Sequence, residues 1–155
     1  MIKAIVSDFS RVVLFPIDNT YAGGLNKLHD ESSQNESYNF WDHYRLNTEL
    51  LNKYNQLRLK VRVVCFTTGH IQEYPALKIE LNDTFERILT VEELGKKKNT
   101  AEAYSEVANI LNLNPEEILF IDDTQENIEA AKLAGMQVHS YVDNELLFEE
   151  LATLE

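Results

Sequence analysis

Acids and hydroxyls stand at the ends of apolar runs in this chain. Ile118, Leu119, Phe120 and Ile121 lead straight into Asp122 and Asp123. The run from Val61 to Phe66 leads into Thr67, Thr68 and Gly69, and Ile2 to Val6 leads towards Asp8. A short apolar run bounded by polar residues reads as a buried strand, so each polar group falls at the carboxyl end of a strand. In open α/β sheets ligands bind at that edge. Adjacent like charges such as Asp122 and Asp123 repel each other, and a divalent cation makes such a pair favourable. A hard cation such as Mg²⁺ takes oxygen ligands and is commonly held by one or two carboxylates plus a phosphate. The pattern therefore points to a divalent-metal site at the edge of a sheet.

The elements that must position these groups follow from periodicity. Strands are predicted over Ile2 to Val6, Val61 to Phe66, Phe85 to Leu89, the run ending at Asp122, and Gln137 to Val142. Helices are predicted over Thr48 to Leu57, after Ile71, over Thr100 to Leu111, after Asp123 up to a stop at Gly135, and over Glu145 to Leu151. Val12 to Phe15 continues apolar until Pro16 breaks it. Residues 17 to about 37, with Gly23-Gly24 and "HDESSQNES", read as loop. Tyr38, Phe40, Trp41 and Tyr44 stand near i, i+3, i+4 spacing, which reads as core packing of a helix, with a substrate-facing wall as the alternative. Strands alternating with helices predict an α/β fold, a parallel sheet with helices on both faces. Right-handed crossovers then bring Asp8, Thr67 and Asp122-Asp123 to one edge, within reach of the loop carrying Lys96, Lys97 and Lys98.

Composition limits the function classes. At 155 residues the chain fits a single domain, 1–155, with 44% apolar residues. A net charge of −12 argues against nucleic-acid and anionic-membrane partners, which call for a basic patch. It leaves room for a phosphate ligand where a metal and a few donors invert the sign of one pocket. The single cysteine, Cys65, lies in a strand pattern and reads as a core residue; it builds no intrachain disulfide framework, which points to a reducing, cytoplasmic setting. The opening "MIKAIVSDF" is a strand pattern too short for a signal peptide, and no apolar run approaches 18 residues. His29, His43, His70 and His139 are dispersed and show no metal spacing.

Taken in order, "SDFSRVV" at 7–13, "VVCFTTG" at 63–69, Lys98, and "LFIDDTQEN" at 119–127 resemble the motifs of the haloacid dehalogenase (HAD) superfamily. Counting back from Tyr104 and Pro115 selects Lys98, with Asn99 in place of the family's proline. The resemblance covers the chain outside about 17–45. It implies a three-layer, Rossmann-like fold with a small or truncated cap after the first strand, at about 16–45. It also implies a Mg²⁺-dependent hydrolase of phosphatase type, acting on a phosphorylated small molecule or phosphoprotein. By the same resemblance Asp8 is the nucleophile that forms an aspartyl-phosphate, and Thr67 donates its hydroxyl to a phosphoryl oxygen. Lys98 supplies a point charge that keeps the nucleophile ionised. Thr68 and Gly69 belong to the substrate-binding loop. The metal ligands are Asp8, the backbone carbonyl of Ser10, and Asp122-Asp123, with Asp123 the stronger candidate.

The chain departs from the family at three places. Ser10 stands where phosphatases of the family carry the aspartate that protonates the leaving group and then activates water. Losing such a group typically costs about 10²–10⁴ in rate, so acyl-phosphates are easier substrates than phosphomonoesters. A catalytically silent phosphate- or partner-binding relative is the alternative. Arg11 replaces a glycine, either as a substrate contact beside Asp8 or as an outward-facing residue. Asn127 replaces a further aspartate, which weakens support for the metal. His70, three residues past Thr67, is a candidate for the missing acid–base function.

Overall fold

The computed structural model describes residues 1–154. Five strands form one parallel sheet: β1 (Ala4–Ser7), β4 (Arg62–Thr67), β5 (Arg87–Thr90), β6 (Ile118–Asp122) and β7 (Gln137–Ser140). Their order is β5-β4-β1-β6-β7. A second, two-stranded sheet pairs β2 (Leu14–Pro16) antiparallel with β3 (Tyr44–Leu46). The helices are α1 (Leu25–Ser32), α2 (Thr48–Leu57), α3 (Lys78–Thr84), α4 (Val91–Leu94), α5 (Ala101–Leu111), α6 (Gln125–Leu133) and α7 (Asn144–Leu151).

The period-2 alternation of the strands divides the core in two. Ile5, Val63, Cys65, Leu119 and Ile121 face one side, where Leu50, Leu51, Tyr54 and Leu57 of α2, Leu81 of α3 and Leu147 and Leu151 of α7 cover them. Ala4, Val6, Val64, Phe66, Ile118 and Phe120 face the other, under Ala103, Tyr104, Val107 and Ala108 of α5 and Ile128 and Ala131 of α6. β1, β4 and β6 are buried on both faces and so read as unbroken apolar runs. This is the three-layer α/β fold expected from the sequence.

Two expectations need correction. Residues 17–37 are not all loop, because α1 occupies Leu25–Ser32. Leu25 and His29 are its buried face, and no side chain caps its start, so it is held by packing and leaves little local signal. The aromatic stretch 38–44 does not form a helix. Phe40–Asp42 make one tight turn and Tyr44 begins β3, with Phe40 and Tyr44 buried and Trp41 at the surface. Pro16 ends β2 without disrupting it, a position open to proline in an edge strand. No helix among the described residues is long and apolar enough to cross a membrane.

Candidate active site

The sheet reverses direction about β1: the chain steps from β1 outward to β4 and β5, then crosses back to β6 and β7. The crevice beyond β1 and β6 is therefore the switch point at which α/β sheets bind ligands. Asp8 follows β1 there and its N–H donates to the Ile121 carbonyl at 2.8 Å, beside the acid pair that closes β6. Asp8, Asp122 and Asp123 each offer a carboxylate oxygen, and these atoms lie within 4.8 Å of one another.

Lys98 reaches this cluster from the loop between α4 and α5. Of the three consecutive lysines it alone is buried. Its Nζ pairs with Asp8 and with Asp122 Oδ2, the latter at 2.9 Å, and lies 5.5 Å and 5.7 Å from the ring centres of Phe66 and Phe120. The loop is set by Thr90, whose hydroxyl caps α4, and by Gly95, whose φ of +62° turns the chain out of that helix. Burial alone would push the lysine pKa down, but the two carboxylates hold it above its ordinary value.

The three acids differ in how far their oxygens are used. Asp122 is fully buried; Oδ1 accepts from the Thr124 N–H at 2.8 Å, and Oδ2 accepts from Lys98 and from the Asn127 amide at 3.1 Å. The Asn127 amide, at the position read from the sequence as bearing on metal support, thus helps to fix the Asp122 carboxylate. Asp123 is more open; its Oδ1 accepts from the Thr124 hydroxyl at 3.4 Å, and it offers a carboxylate oxygen to the acid cluster. Burial pushes the Asp8 carboxyl up to about 7, against the pull of Lys98 and with the repulsion of Asp122 adding to the rise. Asp123 is raised by burial and by the same neighbour. One lysine does not neutralise three clustered carboxylates, and hard oxygen donors in that arrangement suit a divalent cation.

The open side of the site is a cleft of about 670 Å³. Asp8, Ser10, Arg11, Thr68, Lys98 and Asp123 line it, together with Ala22–Asn26 and the Lys96–Lys97 rim. Thr67 is buried behind it, its hydroxyl donating to the Thr68 carbonyl at 3.2 Å. Gly69, with φ of +77°, lets the Asn26 side chain approach closely; a Cβ there would overlap it. His70 does not line the cleft, and its Nε2 pairs with Asp30 Oδ1 at 2.8 Å. The guanidinium of Arg11 donates to the carbonyls of Tyr21 at 2.9 Å and Gly23 at 2.7 Å.

Sequence reasoning missed the groups that orient Asp8 from behind. The Tyr54 hydroxyl donates to Ser7 Oγ at 3.0 Å, and Ser7 Oγ donates to the Asp8 carbonyl at 2.9 Å. Tyr54 reads in the sequence only as part of the apolar stripe of α2.

The model of the haloacid dehalogenase-like hydrolase family matches residues 30–135, a span containing Thr67, Lys98 and the acid pair. The chain belongs to this family of hydrolases. An enolase-phosphatase E1 of Shewanella pealeana is 33% identical over 95 residues, which make up 58% of this chain and 40% of that protein, so the chain spans well under half of that relative's length. Among solved structures, a HAD family enzyme of Bacteroides thetaiotaomicron, in complex with magnesium and inorganic phosphate, superposes with a TM-score of 0.70 at 19% identity, covering 96% of this chain and 100% of that one. A HAD-like family hydrolase of Porphyromonas gingivalis gives 0.70 at 16% identity, covering 99% and 98%. At these identities the structural likenesses establish the fold.

Proposed function

We propose that this hydrolase cleaves phosphate from a phosphorylated small molecule through an aspartyl-phosphate on Asp8, with Mg²⁺ held by Asp8, Asp123 and the Ser10 carbonyl. The observation that carries the reading is the convergence of Asp8, Asp122, Asp123 and Lys98 at the switch point of the sheet. The phosphatase name of the Shewanella relative and the magnesium and phosphate bound by the Bacteroides enzyme agree with it. The insert at about 16–45 then serves as a reduced cap on a single domain.

The Asp8 carboxylate attacks phosphorus, forming one P–O bond as the bond to the leaving oxygen breaks, and the leaving group departs with the electron pair. Water then cleaves the acyl-phosphate, releasing inorganic phosphate and regenerating Asp8. Lys98 stabilises both the ionised nucleophile and the negative phosphoryl oxygens. Asp122, held by Thr124 and Asn127, anchors Lys98. The cation, when bound, supplies the remaining positive charge that offsets the phosphoryl and carboxylate charges. Thr68 and the adjoining loop contact the phosphoryl group.

Ser10 offers neither a useful acid nor a base near neutral pH, and His70 is turned to Asp30 outside the cleft. Substrates whose leaving group departs without a proton, such as acyl-phosphates, are therefore favoured over alkyl phosphomonoesters. The same observation favours a second reading, a phosphate-binding relative without turnover. Assay with Mg²⁺ against acetyl phosphate and aryl phosphates, with Asp8→Asn as control, separates them. Turnover lost in the variant supports the hydrolase; its absence across a broad phosphate panel refutes it.

A further inference from the structure

Arg11 has no counterpart in the chemistry described above, and its conformation is costly. It is one of two non-glycine residues with positive φ among those described, at +63°, a region that favours glycine. It lies inside the tight loop in which the Phe9 carbonyl accepts the N–H groups of Val13 at 2.9 Å and Leu14 at 3.0 Å, and its own N–H donates to the Leu14 carbonyl at 2.7 Å. The backbone therefore holds the left-handed turn whatever the side chain, and glycine would occupy it more easily.

The side chain is spent on the insert. Nη2 donates to both the Tyr21 and Gly23 carbonyls, and Arg11 forms no ion pair among the described residues. Between those carbonyls and Asn26 runs the stretch Ala22–Asn26, which lines the cleft together with Lys96 and Lys97. Within the turn Leu25 is buried and its carbonyl accepts from the Tyr44 hydroxyl at 3.3 Å, whereas the exposed residues before it are less tied: Gly24 precedes α1 without a side-chain cap, and the Tyr21 hydroxyl donates to the Gly24 carbonyl at 3.2 Å. At its far end Asn26 Oδ1 accepts from the N–H groups of His70 at 2.9 Å and Ile71 at 2.8 Å. The wall is thus clasped from two core loops, one carrying the nucleophile and one following β4.

We propose that Arg11 is a positioning residue that fixes the Ala22–Asn26 turn as the substrate-facing wall of the cleft, beside the nucleophile loop. The wall's role towards a phosphate ester rests on the hydrolase reading; the clasp itself does not. A residue that served only the fold would lower stability when removed. A clasp that trades backbone strain for position predicts the opposite pattern in Arg11→Gly, because glycine relieves the positive φ while the two charge-assisted hydrogen bonds are lost.

The test is hydrogen exchange, thermal unfolding and steady-state kinetics on wild type and Arg11→Gly. Amides of residues 21–26 are expected to exchange on the order of tenfold faster in the variant, with the strands unchanged and Tm equal or higher. With a bulky aryl phosphate, KM should rise several-fold while kcat stays within about twofold, the mark of lost uniform binding. Unchanged exchange at 21–26 overturns the clasp. Faster exchange throughout the chain with a lower Tm shows a structural role and also overturns it. Faster local exchange with unchanged KM overturns the positioning of substrate. Should wild type hydrolyse no phosphate, the hydrolase reading fails, and exchange alone still decides the clasp.

Discussion

Replacing the nucleophile with its neutral isostere, Asp8→Asn, should make the metal-free protein more stable. Asp8 is buried beside Asp122, and among the described residues a single lysine, Lys98, pairs with both. Burial lifts its carboxyl from an ordinary 3.8 to about 7 even with Lys98 in place. At about 1.4 kcal/mol per pH unit, ionising Asp8 in the folded protein costs roughly 4 kcal/mol more than in the unfolded chain. Asparagine avoids that cost but loses the charged bond to Lys98, which keeps Asp122 as its partner. The net gain should be about 2–4 kcal/mol, or roughly 5–15 °C in Tm for a chain of this size. The direction with pH follows from the raised value. The folded protein keeps the Asp8 proton up to about pH 7, while the unfolded chain releases it near 3.8. Wild-type stability attributable to this group is therefore greatest at low pH, falls between about 4 and 7, and is flat above. The advantage of the variant should open over that window. Denaturant unfolding with a chelator present, at pH 4, 6 and 8, measures it. Saturating Mg²⁺ should then narrow the gap by stabilising wild type more. A variant less stable than wild type at pH 8, or a gap independent of pH, would refute the reasoning that Asp8 is held under electrostatic strain.

Three further substitutions probe the site and its frame. Ser10→Asp restores a proton donor at the cleft and should raise the rate on an unactivated phosphomonoester by about tenfold or more, read from initial rates with Mg²⁺; an unchanged rate places the defect elsewhere. Asn47→Ala should cost about 2–3 kcal/mol in denaturant unfolding. That residue caps α2 through the Leu50 N–H and also bonds the Val12 carbonyl at 3.0 Å and Asn144 at 2.8 Å, joining α7 to the nucleophile loop. Gly69→Ala adds a Cβ at φ of +77° against the Asn26 side chain and should destabilise by about 1–3 kcal/mol. It should also loosen the 21–26 turn from the side opposite Arg11, seen as faster amide exchange there.

The elements most legible in the sequence were those with a strong local period. Leu50, Leu51, Tyr54 and Leu57 mark the buried stripe of α2, and the helix runs over Thr48–Leu57 as expected. β1, β4 and β6 were legible as unbroken apolar runs instead, and the division of their residues between the two faces of the sheet comes from the structure. α1 was hidden because its buried face contributes only Leu25 and His29, with Leu28 half-buried beside them, while the other residues of "LNKLHDES" are polar. The aromatics at 38–44 misled for the opposite reason: helical spacing arose in a turn and a short strand, where Phe40 stacks on Tyr74 at 4.7 Å instead of on its own helix. At the site, residues with distinctive chemistry were legible. Lys98 was singled out among three lysines by its place in the family pattern, and of the three it alone is buried. Groups that act by orientation were not legible. The Thr124 N–H, the Asn127 amide and the Tyr54–Ser7 relay depend on where the chain returns in space, which carries no period along it.

The central claim is that Asp8 becomes covalently phosphorylated. Its most direct measurement is acid-quenched peptide mass spectrometry after brief incubation with acetyl phosphate and Mg²⁺, with Asp8→Asn in parallel. The account predicts a phosphoryl group on the peptide containing Asp8, sensitive to hydroxylamine and absent from the variant. Hydrolysis that proceeds with no such adduct in wild type at any quench time, or an adduct that persists in the variant, would contradict it.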